Sequence, residues 1–235
     1  MIGNLVFDDI NCNAYGVYVT DTDVDNAPIR VYQTESIPGR NGDIVFDTKS
    51  YENITIQYPA FVYDEYDSNI IAIRNRFASK IGYKRLEDSF HPDEYRLARY
   101  SSPMTVAKTN DRKLGRFTFE FDCKPQRYLK IGEESITYTA NGTIFNPTEM
   151  EARPFMRVYG RGVLTVNGTA VTISSTSSYI DLDCELQDAY YGSQNLNKYV
   201  SLSPNEFPKL SAGANAITLG SGITRVIITP RWWRI

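Results

Sequence analysis

Most of the chain alternates apolar and polar side chains at a period of two, the spacing that sends successive residues to opposite faces of a β-strand. In "GRFTFEFDCKPQRY", Phe117, Phe119, Phe121 and Cys123 share one face, while Thr118, Glu120 and Asp122 share the other. Burying the three phenylalanines would contribute about 5–9 kcal/mol before chain entropy is subtracted. Lys124-Pro125 should end that strand's pairing, because proline has no amide hydrogen for the ladder. Ile54, Ile56 and Tyr58 alternate with Asn53, Thr55 and Gln57; Ile44 and Phe46 alternate with Asp43 and Val45. Just ahead of these runs, Asn41-Gly42 carries the signature of a type I′ turn, so residues 39–56 read as a hairpin.

One stretch changes period. In "DSNIIAIRNRFASKIG", Ile70, Ile73, Phe77 and Ile81 recur at helical spacing with Ile71 beside them. Asp67 or Ser68 offers an N-cap and Gly82 a C-terminal stop, which predicts a helix over about 68–81 lying on a sheet. "HPDEYRLARY" suggests one helical turn and then a strand through Arg99. Further along, turns at Gly160-Arg161-Gly162 and Asn167-Gly168 separate short strands, with more strands in "SSYIDLD", "NAITLG" and "TRVIITPRWW". The expected fold is mainly β. A β-barrel or β-sheet domain with one helix covers 1–130, a connector holding a hairpin covers 131–150, and a β-sandwich covers 151–235.

Charge narrows the partners. Residues 1–130 hold 17 Lys/Arg against 19 Asp/Glu and the remainder 8 against 9, so no basic stripe exists to neutralise phosphates. The start of the chain lacks the basic and apolar regions of a secretory leader, and no apolar run approaches the roughly 20 residues that span a bilayer. Cys12, Cys123 and Cys184 are odd in number and far apart, and are expected to be free, buried thiols.

Catalytic chemistry finds little support. His91 is the only histidine, and "SFHPDEY" is not a nucleophile-bearing turn. Three cysteines and one histidine match no structural zinc spacing, so no metal or cofactor is expected. Asp21, Asp23 and Asp25 lack the glycine and glutamate of a calcium loop and read as a turn. Asp181, Asp183 and Glu185 would share a strand face. Such a group could bind Ca²⁺ or form a glycosidase pair, but the simpler reading is the solvent face of an edge strand, where charge discourages edge-to-edge pairing. Asn53, Asn141 and Asn167 begin glycosylation-type triplets, the latter two better explained as turns. Gly160 and Gly162 form no phosphate-binding loop. Tyr190, Tyr191, Trp232 and Trp233 offer stacking surfaces for a sugar, and equally core or subunit contacts; a carbohydrate-binding sandwich is the alternative reading. With no credible catalytic set, the chain reads as a non-enzymatic protein built to fit against other chains.

Several stretches together resemble one family. "IPGRNGDIVFDTKSYENITI", "FTFEFDCKPQRYL", "NPTEMEARPFMRVYGRG" with "VNGTAVTI", "IDLDCELQDAYYGSQNLNKYV", "FPKLSAGANAITL" and the terminal "ITPRWWRI" are similar, in this order, to segments of siphophage distal tail proteins. Thr148 stands where that family often has glycine, and the chain ends with Arg-Trp-Trp-Arg rather than Arg-Trp-Arg. The resemblance implies a tail-tip hub in the virion, made in the bacterial host cytoplasm. Its first domain would form a homohexameric ring that joins the tail tube to the tail-associated or baseplate protein and lets DNA pass without specific binding. Its second domain, a galectin-like or carbohydrate-module-like sandwich, would sit outside the ring as a platform for a receptor-binding protein. Within that picture the 39–56 hairpin, with Gly39, Arg40, Asn41, Gly42 and Tyr51, is the expected subunit interface. The lumen is expected to be neutral or acidic.

Overall fold

The computed structural model describes residues 2–20, 26–63, 66–108, 114–176 and 178–235. The chain divides into two compact units, one ending at Arg127 and one spanning Tyr128–Arg234. In the first, the strands are β1 (Ile2–Gly3), β2 (Leu5–Phe7), β3 (Ile10–Asn11), β4 (Val17–Thr20), β5 (Arg30–Glu35) and β6 (Ile44–Tyr51). There follow β7 (Ile54–Tyr63), the helix α1 (Tyr66–Ala78), β8 (Lys84–Asp88), β9 (Glu94–Tyr100), β10 (Ala107–Lys108) and β11 (Leu114–Leu129).

One open sheet takes the order β1-β4-β7-β11-β9-β8-β2-β3, with β10 beside β11. It does not close into a barrel, so of the two shapes expected the sheet is found. β7 buries every second residue from Ile54 to Val62, and β11 buries Phe117, Phe119, Phe121 and Cys123. The two strands pair from Leu114↔Tyr63 to Cys123↔Ile54. Their register stops before Lys124, yet β11 itself continues through Pro125 to Leu129. Pairing with β7 thus stops ahead of Lys124-Pro125, as expected, while the strand itself runs on.

The helix begins two residues before the expected start and stops at Ala78, short of Ile81. Ile70, Ile73 and Phe77 point into the core, but Ile81 lies beyond the last turn and is 91 % exposed. The chain tightens there, with the Lys80 amide reaching the Phe77 carbonyl at 3.2 Å. Phe77 is the centre of an aromatic cluster, its ring 5.1 Å from those of Phe7 and Phe119 and 6.0 Å from Phe121. The helical turn expected at His91 is a single turn closed by the Glu94 amide on the His91 carbonyl, and β9 follows it directly.

The second unit holds β12 (Ile136–Tyr138), β13 (Gly142–Asn146), β14 (Phe155–Gly160), β15 (Gly162–Val166), β16 (Thr169–Ile173) and β17 (Ile180–Asp183). β18 (Asp188–Tyr191), β19 (Gln194–Asn195), β20 (Val200–Ser203), β21 (Gly213–Leu219), β22 (Ile223–Thr229) and β23 (Trp233–Arg234) complete it. Two sheets, β12-β22-β14-β17-β18-β19 and β13-β21-β15-β16-β20, share one apolar core that includes Met156, Val158, Leu164, Val171, Leu182 and Ile228. That is a sandwich. Residues 131–150 supply one edge strand to each sheet, β12 on β22 and β13 on β21, instead of a hairpin paired with itself.

Asn167-Gly168 makes the expected two-residue turn: both residues have positive φ, 49° and 87°, and Val166 pairs with Thr169 across them. At Gly160 and Gly162 the chain crosses from one sheet to the other. A Cβ on Gly160 would stand 2.1 Å from the Gly222 carbonyl oxygen, so only glycine fits.

Candidate functional site

The strongest site candidate is a two-stranded ribbon, β5 with β6, which belongs to none of the three larger sheets. It pairs Tyr32↔Asp47, Gln33↔Phe46, Thr34↔Val45 and Glu35↔Ile44, with a bulge between Arg30 and Tyr32. Paired residues point to the same side. Tyr32 and Val45 therefore lie on one face of the ribbon, Ile44 and Phe46 on the other. Tyr32 is 52 % exposed, Val45 57 % and Phe46 51 %, and Ile29 at the base and Ile37 at the loop are exposed too.

Polar contacts hold the ribbon's base. Arg30 pairs with Asp47 through Nε and Nη2, its guanidinium lies 5.6 Å from the Tyr51 ring centre, and Thr48 Oγ1 donates to the Val31 carbonyl at 2.7 Å. The hydrogen bond from Arg30 holds the Asp47 carboxyl below its ordinary value.

The tip corrects the expected hairpin. The Arg40 amide donates to the Ile37 carbonyl at 3.1 Å, and Gly39 has φ +84°. Proline then glycine at the central positions is the chemistry of a type II turn. Pro38-Gly39 thus makes the bend, and Asn41, whose φ is not positive, makes no type I′ turn with Gly42. The hairpin joins 30–35 to 44–51; β7 begins at Ile54 in another sheet. Of the residues expected at an interface, Gly39, Arg40, Asn41 and Gly42 are exposed at this tip, and Tyr51 is half-buried at the base.

The carboxylates of the second domain are not a catalytic pair, nor do they face solvent on an edge. β17 is paired on both sides, by β14 and β18. Asp181 and Asp183 are 3 % and 5 % exposed. Arg157 donates to both oxygens of Asp181 at 2.7 and 2.9 Å, and Arg231 does the same for Asp183 at the same distances. Burial pushes the Asp183 carboxyl up. The Arg231 fork, with the Leu186 and Glu185 amides, more than offsets this and leaves it below the ordinary value. Glu185 lies past the strand and is exposed.

The aromatic candidates are divided. Trp232 is 4 % exposed in the second core, and the Trp233 indole N–H donates to the Glu151 carbonyl at 3.0 Å. Tyr190 and Tyr191 are half-buried, with Tyr191 ring-to-ring 4.7 Å from Tyr179. Both tryptophans thus serve the second domain's own packing. Cys12, Cys123 and Cys184 are free and buried, as expected. Asp21, Asp23 and Asp25 lie outside the described residues. Among the described residues no group of three or more metal-ligating side chains occurs, and no helix is long and apolar enough to cross a membrane.

Two motif asparagines had no assigned role, and the fold gives them one. Asn146 donates to the carbonyls of Met150 and Leu210 and accepts from Thr148, and Asn215 clamps Ser211 and Gly213. Thr148 fits its non-glycine position by donating its hydroxyl to Asn146 Oδ1 at 2.8 Å.

Residues 11–123 match the family of the phage tail protein RIFT-related domain. The matched stretch takes in most of the first domain and the whole of the ribbon. The whole chain is also similar in fold to the solved Dit protein of phage SPP1, described as a paradigm of the hub adsorption apparatus in phages that infect Gram-positive bacteria. That likeness has a TM-score of 0.70 at 12 % identity over 99 % of each chain. A chain in the baseplate of phage P2, in its activated conformation with Ca, is similar with a TM-score of 0.51 at 13 % identity over 97 % of each chain. No curated protein matches the sequence. At these identities the likeness is one of fold.

Proposed function

We propose that this chain is a distal tail protein, a structural subunit of a siphophage tail tip. Its first domain closes into a homohexameric ring that joins the tail tube to the tail-associated or baseplate protein. The ring leaves a neutral or acidic channel through which DNA passes without specific binding. The second domain is a galectin-like platform outside the ring, available to a receptor-binding protein.

The observation that supports this reading is the ribbon. An isolated two-stranded hairpin is marginally stable in water, and one with bare apolar side chains on both faces gains most by lying between other surfaces. A ring made by rotation needs two different complementary patches on each chain, and the ribbon with its receiving surface on the next copy would be such a pair. Light scattering of the purified chain, followed by negative-stain imaging, tests it. The expected result is a ring of about six times the 26.7 kDa chain, or stacked pairs of rings. A single-chain mass that persists at every concentration and with neighbouring tail proteins added overturns it.

A further inference from the structure

The open sheet of the first domain turns one permanent charge inward. Along β9, Glu94, Arg96 and Ala98 face the interior, and Arg96 is only 7 % exposed. Neither Nη1 nor Nη2 of Arg96 has a hydrogen-bond partner. A guanidinium stays protonated throughout the range in which proteins fold, so these donors are always present, and burying them empty is costly. Arg96 faces a cavity of about 10 Å³, the room one water-sized occupant needs. Tyr58, Asp88, His91, Glu94 and Arg127 line it as well.

The lining restricts what fits. Asp88 is the obvious counter-ion, but its hydrogen bonds go elsewhere. Oδ1 accepts from the Phe90 and His91 amides, each at 2.9 Å, and lies 3.1 Å from His91 Nδ1; Oδ2 accepts from the Tyr58 hydroxyl at 2.9 Å. Oδ2 keeps one acceptor position, yet neither terminal nitrogen of Arg96 makes a hydrogen bond to it. Glu94 and Arg127 have partners of their own. Burial first, and then the neighbouring charge of Arg127, disfavour the Arg96 cation. What the site lacks is a compact negative acceptor. A phosphate, sulfate or carboxylate is far too large for the space; a single-atom anion, somewhat larger than a water, is the smallest negative occupant available.

We propose that this cavity is a binding site for a chloride-sized monovalent anion, held by the two terminal nitrogens of Arg96 beside Arg127. The bound ion would tie the inward faces of β9 and β11 together.

Crystals of the full chain grown with bromide in place of chloride give the test. The expected result is an anomalous difference peak within hydrogen-bond distance of Arg96 Nη1 and Nη2, absent in Arg96→Met. Density there without anomalous signal is an ordered water only and overturns the proposal, as does an empty cavity. Thermal melting in sodium chloride, bromide and gluconate at equal ionic strength supplies a second readout. The native chain should melt several degrees higher in either halide than in gluconate, and Arg96→Met alike in all three. Identical melting of the native chain in the three salts would sink the idea. If Arg96→Met does not fold, the native bromide map and melting series decide alone.

Discussion

Arg231 holds Asp183 with two parallel hydrogen bonds, 2.7 and 2.9 Å long, while the amides of Glu185 and Leu186 donate to the same carboxylate. A loop residue thereby fixes the end of a central strand in the second unit's sandwich. Arg231 adopts a positive φ of 59° to do so, a backbone conformation that the paired carboxylate helps to hold.

Removing that carboxylate should leave a half-buried guanidinium without its partner. Asp183→Ala is expected to lose about 2–4 kcal/mol of stability, less than a fully buried pair would because Arg231 remains partly solvated. Urea unfolding monitored by tryptophan fluorescence checks this.

The same carboxyl sets an acid limit. Its folded pKa lies below the ordinary value of 3.8, so its contribution is fully present above that value. It is lost as pH falls through the lower, folded pKa. Native protein should therefore lose stability below about pH 4 more steeply than Asp183→Asn, as pH-dependent melting would show.

Gly160 and Gly168 both have positive φ, but their surroundings differ. A Cβ on Gly160 meets the Gly222 carbonyl oxygen, whereas one on Gly168 meets nothing within 4 Å. Gly168→Ala should cost about 1 kcal/mol of backbone strain, and Gly160→Ala several times that because backbone must move. Paired melting curves of the two variants measure the difference.

Ribbon substitutions should separate assembly from folding. Phe46→Asp is expected to reduce the solution mass to that of the single chain, with stability of the fold changed by no more than about 0.5 kcal/mol, because the side chain touches no core. Light scattering and melting on the same sample read both quantities.

The three thiols should be silent in the native state. Burial pushes Cys123 up to about 12 and Cys12 and Cys184 further still. A thiol reagent at pH 8 should modify none of them until denaturant is added, then all three.

Alternation was a reliable guide where one strand face meets the core. It identified Ile54 to Tyr58 and Phe117 to Cys123, and helical spacing identified Ile70, Ile73 and Phe77. Turn chemistry was legible only locally. Asn-Gly closes the hairpin at 167–168, where the flanking strands are adjacent in sequence. At 41–42 it does not, because Pro38-Gly39 three residues earlier takes the bend. The ribbon was half seen: its tip residues were singled out, but its second strand was assigned to the wrong neighbour. Asp181 and Asp183 were misread as an exposed row, since their partners Arg157 and Arg231 are 24 and 48 residues distant and nothing local tells an edge strand from a central one. Arg96 gave no signal at all. An arginine in an alternating strand reads as solvent-facing unless its register is known.

β11 has a mechanical consequence. It is the covalent link between the two compact units, and it runs from the middle of the first domain's sheet to the start of the second. A pull on the second unit would therefore reach the first through this one strand. Its ten register pairs with β7 are what would hold that strand in the first domain's sheet against the load.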